Sequence, residues 1–294
     1  MKYRYYLKAF RLDHWFKNLF TLTGSLAALS YFNRELPWDL LSKILTGLLL
    51  ACLVSSVNYA INEILDASYD LQHPVKRFRP IPSGLVDIQT LVILTLGLLL
   101  VSLSLAFYFF NPYFQFSLIG LFLAGMIYNL RPLRAKEIPY IDVLSESINN
   151  PIRLLIGWFS VTSERILPPF SLILWLWVFG AFLMTAKRLA ELLFLGSQAV
   201  FYRRAYKYYS KGSLLGVMIF YAGLTMLGYV YLALQFQRAL FFTLPFFLIF
   251  ILWFFILTLK SSPLVKEPER IFTEPLFCIY SLVLFLIMIF LCFR

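Results

Sequence analysis

The sequence predicts an all-α, polytopic membrane protein, and three observations carry that prediction. Apolar runs of about 20 residues, long enough to cross a bilayer as helices, recur from one end of the chain to the other. Hydrophobic residues make up 61% of the 294 residues and charged ones only 14%, a balance foreign to water-soluble domains. Basic residues concentrate in alternate connections between the apolar runs, the asymmetry that orients a chain in a membrane.

Taken in order, nine runs read as spans: 18–33, 40–65, 88–110, 112–129, 139–161, 167–190, 212–234, 239–260 and 272–293. The first is short and carries Thr21, Thr23 and Ser25, so it is the least apolar of the set. The first 17 residues are basic and amphipathic, unlike the apolar block and small-residue cleavage site of a secretory signal. Residues 1–294 therefore read as a single integral membrane domain.

With nine spans and the N-terminus inside, cytosolic segments hold 20 of the 26 Lys and Arg residues, which predicts a cytoplasmic-membrane protein with cytosolic working loops. The net charge of +11 follows from topology and gives no reason to expect nucleic acid. It also favours anionic membrane lipids or phosphate ligands. Cys52, Cys278 and Cys292 sit in apolar segments without paired spacing, and His14 and His73 are far apart. Disulfide and zinc sites are not expected from such a pattern.

The outer connections are short, whereas loops 66–87, 130–138 and 191–211 are longer and hold most of the polar chemistry. A membrane-embedded site open to one side needs that arrangement.

Asn58, Asn62, Asp66 and Asp70 recur every fourth residue, each advancing only about 40° around a helix. They make one polar stripe at the cytosolic end of the second span. Asn62 and Asp70 are about 12 Å apart along the axis, too far for one ion, while two Mg²⁺ ions bridging a diphosphate fit the length. Oxygen ligands without sulfur favour Mg²⁺ over transition metals. Glu63, offset by about 100°, either reaches the same ions or faces a neighbouring segment. The plain alternative for any one acid is a solvated carboxylate at a helix end. In the fifth span Asp142, Glu146, Asn149 and Arg153 also share one helical face. Ionisable residues inside a span usually mark function, though an internal Glu146–Arg153 pair would serve structure alone. Lys76, Arg77 and Arg79 follow the first stripe at once and suit phosphate contacts.

These residues resemble the UbiA superfamily of intramembrane prenyltransferases. Its first motif, N-D-x-x-D-x-x-x-D, is matched by Asn62, Glu63, Asp66 and Asp70, with Glu63 in place of Asp. Its second region, Y-S-x-P-P-x-R-x-K-x-x-P-x-x-D, is matched in register by Tyr128, Arg134, Lys136, Pro139 and Asp142, while Asn129 and Arg131 depart from it. The resemblance covers essentially the whole chain and implies a bundle of about nine helices around a cytosol-facing cavity. It implies Mg²⁺ at Asn62, Glu63, Asp66, Asp70 and Asp142, with Asp66, Asp70 and Asp142 catalytic. Tyr128, Arg134, Lys136 and Glu146 would then contact substrate.

Within the superfamily, three stretches look most like the decaprenyl-phosphate phosphoribosyltransferase branch: His73-Pro74-x-Lys76-Arg77-x-Arg79-Pro80, Lys187-Arg188-x-Ala190-Glu191-Leu192, and Trp15-x-Lys17-Asn18. That branch moves phosphoribose from 5-phosphoribosyl diphosphate to a polyprenyl phosphate. Lys17, Arg153, Lys187 and Arg188 are cations beyond what one diphosphate needs, and Glu191 suits a sugar hydroxyl. The other enzymatic expectation is prenyl transfer from a prenyl diphosphate to an aromatic or lipid acceptor. A non-enzymatic transporter or lipid-binding protein is the third. In both enzymatic cases, stabilising the departing diphosphate is the main task.

Overall fold

The computed structural model describes residues 3–71, 76–268 and 270–292. Every described element is helical, and no strand occurs among the described residues. A short amphipathic helix, α1 (Tyr3–Ala9), and a 3-10 helix over Leu12–Leu19 lead into α2 (Phe20–Tyr31) and α3 (Trp38–Asp70). Then come α4 (Ile88–Phe109), α5 (Pro112–Asn129), α6 (Ile141–Ser147), α7 (Asn149–Val161) and α8 (Phe170–Leu195). The rest is α9 (Ala199–Tyr202), α10 (Lys211–Gln235), α11 (Leu244–Leu259), α12 (Pro263–Lys266) and α13 (Pro275–Cys292).

Each of the nine expected apolar runs thus carries a helix. Five helical stretches are long and apolar enough to cross a membrane: Trp38–Asp70, Ile88–Phe109, Phe170–Tyr202, Lys211–Gln235 and Arg238–Leu259. The fifth expected span is not continuous: it divides into α6 and α7 around Ile148. Pro151 explains the break, because it has no N–H for the Ser147 carbonyl and its ring crowds that turn.

The chain divides into two compact units, one of residues 1–168 with 200–204, the other of 169–199 with 205–294. In the first, Leu50, Val54, Phe114, Leu118, Ile156 and Trp158 form the apolar centre. Asn111 caps α5 by accepting from Phe114 N–H at 3.1 Å, and its Nδ2 donates to the Phe159 carbonyl at 2.8 Å, tying α5 to the end of α7. Ile93, Leu96, Leu100 and Phe107 on α4 stay exposed, as lipid-facing residues would. In the second unit, Phe182, Leu189, Met218, Tyr229, Phe247 and Phe254 gather α8, α10 and α11. Trp175 Nε1 donates to the Thr225 carbonyl at 2.9 Å, locking α8 against α10.

Helices α2 and α7 meet backbone to backbone. A β-carbon on Gly24 would sit 1.9 Å from the Leu154 carbonyl oxygen, and one on Gly157 would sit 1.8 Å from that of Thr21. Ser25 Oγ uses the closeness to donate to the Gly157 carbonyl at 3.1 Å. Small residues at a helix crossing are how membrane helices gain contact without a hydrophobic driving force. Gly157→Ala is expected to lower stability by about 1–3 kcal/mol in thermal unfolding of the detergent-solubilised protein. Gly216→Ala, where a β-carbon meets nothing within 4 Å, is the control and should not destabilise.

Candidate active site

The α3 stripe predicted from spacing is built in the first unit, and the 130–138 loop closes over it. Lys136 Nζ donates to three oxygens: Asp66 Oδ1 at 2.6 Å, Asn129 Oδ1 at 2.9 Å and Asn62 Oδ1 at 3.2 Å. Arg134 Nη2 reaches the same Asp66 Oδ1 at 2.9 Å, and its Nε lies 2.7 Å from Glu137. The Arg134 backbone is left-handed, with φ of 31°, and its guanidinium lies 5.0 Å from the Tyr69 ring centre. That strained turn is what brings Arg134 and Lys136, two residues apart, onto one carboxylate. Burial pushes the Lys136 ammonium down to about 8, with the Asp66 charge opposing the shift.

One turn further along α3, Asp70 is paired with Arg79. Glu63 is buried, and its Oε1 accepts from Ile81 N–H at 3.1 Å, so it faces the segment that follows Arg79. Of the two options left open for Glu63, this contact realises the neighbouring one. Arg77 is exposed and lies over the Phe78 ring at 4.8 Å. His73 and Pro74 lie outside the described residues, as does the side chain of Lys76.

The second stripe also joins this unit. Asp142 is fully buried and accepts from Arg203 Nη1 at 3.2 Å. Tyr128 donates to Glu146 Oε2 at 2.9 Å, and its ring centre lies 5.9 Å from the Arg203 guanidinium. Arg153 Nε donates to Asn18 Oδ1 at 2.7 Å, and Ser55 Oγ donates to the same oxygen at 2.9 Å. Lys17 Nζ stands 3.1 Å from His14 Nδ1. Lys187, Arg188 and Glu191 belong to the second unit. There Arg188, itself fully buried, reaches Glu191 Oε2 at 3.4 Å, and Tyr206 donates to the same oxygen.

Four participants escaped the sequence-derived set. Arg203 lies 61 positions from Asp142, beyond any local spacing rule. Asn129 looked like a departure from a motif, yet it receives Lys136. Asn58 belonged to the stripe without a role: its Nδ2 donates to the Leu121 carbonyl at 2.9 Å, while its Oδ1 is closed to solvent and makes no hydrogen bond. Arg11 has a left-handed backbone with φ of 48° and a buried, unbonded Nη2, and lies 5.6 Å from the Tyr59 ring. Burial and then Arg79 depress its pKa.

Among the described residues, no three His, Cys, Asp or Glu side chains come together as a metal-holding group. The donors on α3 are instead one carboxylate per turn with amide oxygens beside it. Asn62, Asp66 and Asn129 already turn oxygens toward one positive group, the Lys136 ammonium. An oxygen-only set with few protein carboxylates fits Mg²⁺, which keeps waters and takes much of its coordination from substrate phosphates.

Comparison with known proteins decides the family. The UbiA prenyltransferase family model matches residues 18–280. The chain belongs to the UbiA prenyltransferase family. A decaprenyl-phosphate phosphoribosyltransferase of Mycobacterium tuberculosis is 39% identical over 80 residues, which is 27% of this chain and 26% of that protein. The enzyme of the same name from Corynebacterium glutamicum is 28% identical over 193 residues, 64% of this chain and 54% of that protein. The chain therefore aligns with only part of the length of these curated relatives. A protoheme IX farnesyltransferase of Flavobacterium psychrophilum is 28% identical over 145 residues, 49% of this chain and 45% of that protein. In fold, the UbiA chain is similar to a UbiA homolog from Archaeoglobus fulgidus bound to GPP and Mg²⁺, with TM-score 0.70 at 18% identity over 95% of this chain and 99% of that one.

Lys136→Met tests how the UbiA stripe is held together. It strips Asn62 and Asn129 of their shared donor and leaves Asp66 to Arg134. Thermal unfolding without ligand should show a loss of about 1–3 kcal/mol, the penalty for buried acceptors left without a donor.

Proposed function

We propose that this protein transfers 5-phosphoribose from 5-phosphoribosyl 1-diphosphate to a polyprenyl, decaprenyl-like phosphate, releasing diphosphate in a Mg²⁺-dependent reaction. The observation that carries the reading is the likeness to decaprenyl-phosphate phosphoribosyltransferases over 193 residues in one relative and at 39% identity in another. The abundance of cations around the stripe supports it. The nine-span topology, with the N-terminus and the working loops in the cytosol of a cell-membrane protein, belongs to the same reading.

In the reaction, the bond between ribose C1 and the diphosphate oxygen breaks, and its electron pair leaves with diphosphate. An oxygen of the lipid phosphate forms the new bond to C1. Asn62, Asp66 and Asp70 would hold Mg²⁺ together with the donor diphosphate, and Asp142 would complete the carboxylate set from α6. The metal supplies charge stabilisation to the departing diphosphate. Arg79, Arg134 and Lys136 supply the rest, exchanging a carboxylate for a phosphate oxygen when donor arrives. Tyr128 and Glu146 keep Arg203 and the Asp142 side of the site in place. Lys17, Lys76, Arg77 and Arg153 add positive potential for the phosphates.

A second reading is prenyl transfer from a prenyl diphosphate to an aromatic or lipid acceptor. The Archaeoglobus fulgidus homologs bound to GPP or DMAPP with Mg²⁺ favour it. The two separate on one assay. Phosphoribosyl diphosphate labelled in its ribose should carry label into the organic phase only when polyprenyl phosphate and Mg²⁺ are present. Asp66→Asn and Asp70→Asn should each lose most turnover while still inserting and folding, and EDTA should abolish it. Transfer of label from a prenyl diphosphate alone would overturn the phosphoribosyl reading, and turnover unaffected by EDTA would remove the metal.

Lys187, Arg188 and Glu191 are proposed as contacts to the ribose 5-phosphate and a sugar hydroxyl. Lys187→Ala and Arg188→Ala should each weaken donor binding by about 1–3 kcal/mol, as a lost charge-assisted contact does. A donor without its 5-phosphate should then be bound almost equally by wild type and variants. Equal losses with both donors would mean that these residues only anchor α8.

A further inference from the structure

Arg153 lies inside the first unit with 7% of its surface exposed, yet no carboxylate meets it. Arg134 and Lys136, about as deeply buried, both meet Asp66. Arg153 meets only amides: its Nε donates to Asn18 Oδ1 at 2.7 Å, and its Nη1 reaches Asn150 Oδ1 at 3.5 Å. Among the described residues it forms no ion pair, and Tyr59 and Glu146 act on its charge only from a distance. Buried charges are ordinarily paired, because an ion taken from water without a counter-charge is costly.

One edge of the guanidinium is also open. Its Nη2 makes no hydrogen bond, and it is not among the unbonded side-chain atoms closed to solvent, which lie on Arg11, Thr21, Asn58 and Arg134. Tyr59, Glu146 and Asn150 beside it are likewise only part-buried. The opposite edge is firmly held. Asn18, itself fully buried, accepts from Ser55 Oγ at 2.9 Å as well as from Arg153, and its Nδ2 points to Cys52 Sγ at 3.5 Å. The 3-10 segment, α3 and α7 together fix a positive group that faces unfilled space.

The place of that group along α3 gives it a partner. Ser55 lies seven residues before Asn62, about 10 Å along the axis and away from the Asp66 and Asp70 end. In the proposed reaction, diphosphate leaves one face of ribose C1 and an oxygen of the lipid phosphate arrives at the other. With that oxygen about 3–3.5 Å from C1, the two flanking phosphorus atoms stand roughly 8 Å apart. The acceptor oxygen is already anionic, so it needs no general base. It needs a cation with little competing water, and a guanidinium fork suits a phosphate.

We propose that the open edge of Arg153 binds the phosphate of the polyprenyl phosphate acceptor, on the far side of C1 from the metal-binding stripe. This assignment rests on the phosphoribosyl reading and separates the acceptor's phosphate from those of the donor.

Asn18→Asp is the test. Asp is isosteric, keeps the oxygen to which Arg153 and Ser55 donate, and supplies the missing carboxylate, so Tm without ligand should hold or rise. The new ion pair should compete with the acceptor's phosphate. KM for polyprenyl phosphate should rise about tenfold or more, while KM for 5-phosphoribosyl diphosphate stays near that of wild type. Without Mg²⁺ or donor, polyprenyl phosphate should raise the Tm of wild type more than that of Asn18→Asp, and polyprenol should not separate the two. Arg153→Gln is the second variant if Asp does not fit, with Arg153→Lys as its partial rescue. A wild-type acceptor KM in these variants makes Arg153 a packing element and overturns the assignment. A raised donor KM with the acceptor KM unchanged gives the guanidinium to the ribose 5-phosphate and overturns it too. Both outcomes leave phosphoribosyl transfer standing. A wild type that turns over prenyl diphosphate and no phosphoribosyl donor overturns both.

Discussion

Compensation of buried and half-buried carboxylates is the constraint on which the first unit depends. Asp66, Asp70 and Asp142 sit in a chain with little polar surface, where an ionised carboxylate without partners costs several kcal/mol. Each has a cation: Lys136 and Arg134 for Asp66, Arg79 for Asp70, Arg203 for Asp142. The connections have the shapes needed to deliver those cations. Arg134 takes a left-handed backbone so that the 130–138 loop folds back over α3. The 79–84 turn does the same for Asp70, and Glu63 fastens that turn through Ile81 N–H. A tighter or straighter connection would leave the acids buried and unpaired.

Such pairs are weak evidence for stability, because well-packed apolar residues of similar volume often hold a core as well or better. Their retention here makes sense as a standing charge balance that a ligand rearranges. On the proposed reading a metal-bound diphosphate would bring both signs at once: Asp66 and Asp70 would hold the cation, and Lys136, Arg134 and Arg79 would turn to the phosphates. No charge need be left bare at any point of that exchange. Two cavities of this unit lie away from the stripe. One, of about 730 Å³, is lined by Tyr5, Tyr6, Ile81 and Asp87, and the other, of about 660 Å³, by Arg34, Asp39, Lys43 and Glu164. The stripe is filled by its own ion pairs.

Much of this was legible in the sequence, and the unread part has a common cause. Each apolar run located a helix because burial in lipid demands length and hydrophobicity, although only five helical stretches among the described residues are long and apolar enough to cross a membrane. The four-residue register of Asn58, Asn62, Asp66 and Asp70 survived intact because a helix has one geometry. Pairings across elements were not legible. Arg203 and Asp142 share no local pattern, and Asn58 meets a backbone carbonyl, which no residue type announces. The close approach of α2 and α7 at Gly24 and Gly157 was equally silent, since a glycine in an apolar run reads as a weak helix former until its neighbour is known. The interruption at Ile148 comes from Pro151, which sits inside an apolar run long enough to read as one span.

The placement of the acids on α3 itself argues for a cation. A helix concentrates partial negative charge at its C-terminus, where basic side chains are favourable and acidic ones are not. Helix α3 does the reverse: Asp66 and Asp70 occupy its last two turns, and its last turn carries no basic residue of its own. A sequence selected for stability alone would have put Lys or Arg there. Departures from local rules of this kind are expected where a site is built, because the unfavourable field is the functional one. Here the dipole, the two carboxylates and the amide oxygens of Asn58 and Asn62 add to a single negative surface along one helix face. Lys136, Arg134 and Arg79 all reach it from other segments, so each can be withdrawn by a loop movement without unwinding the helix. The negative surface lies on one helix and its counter-charges on other segments, which is the order a site needs if it is to bind a metal-bound polyphosphate and let the product go.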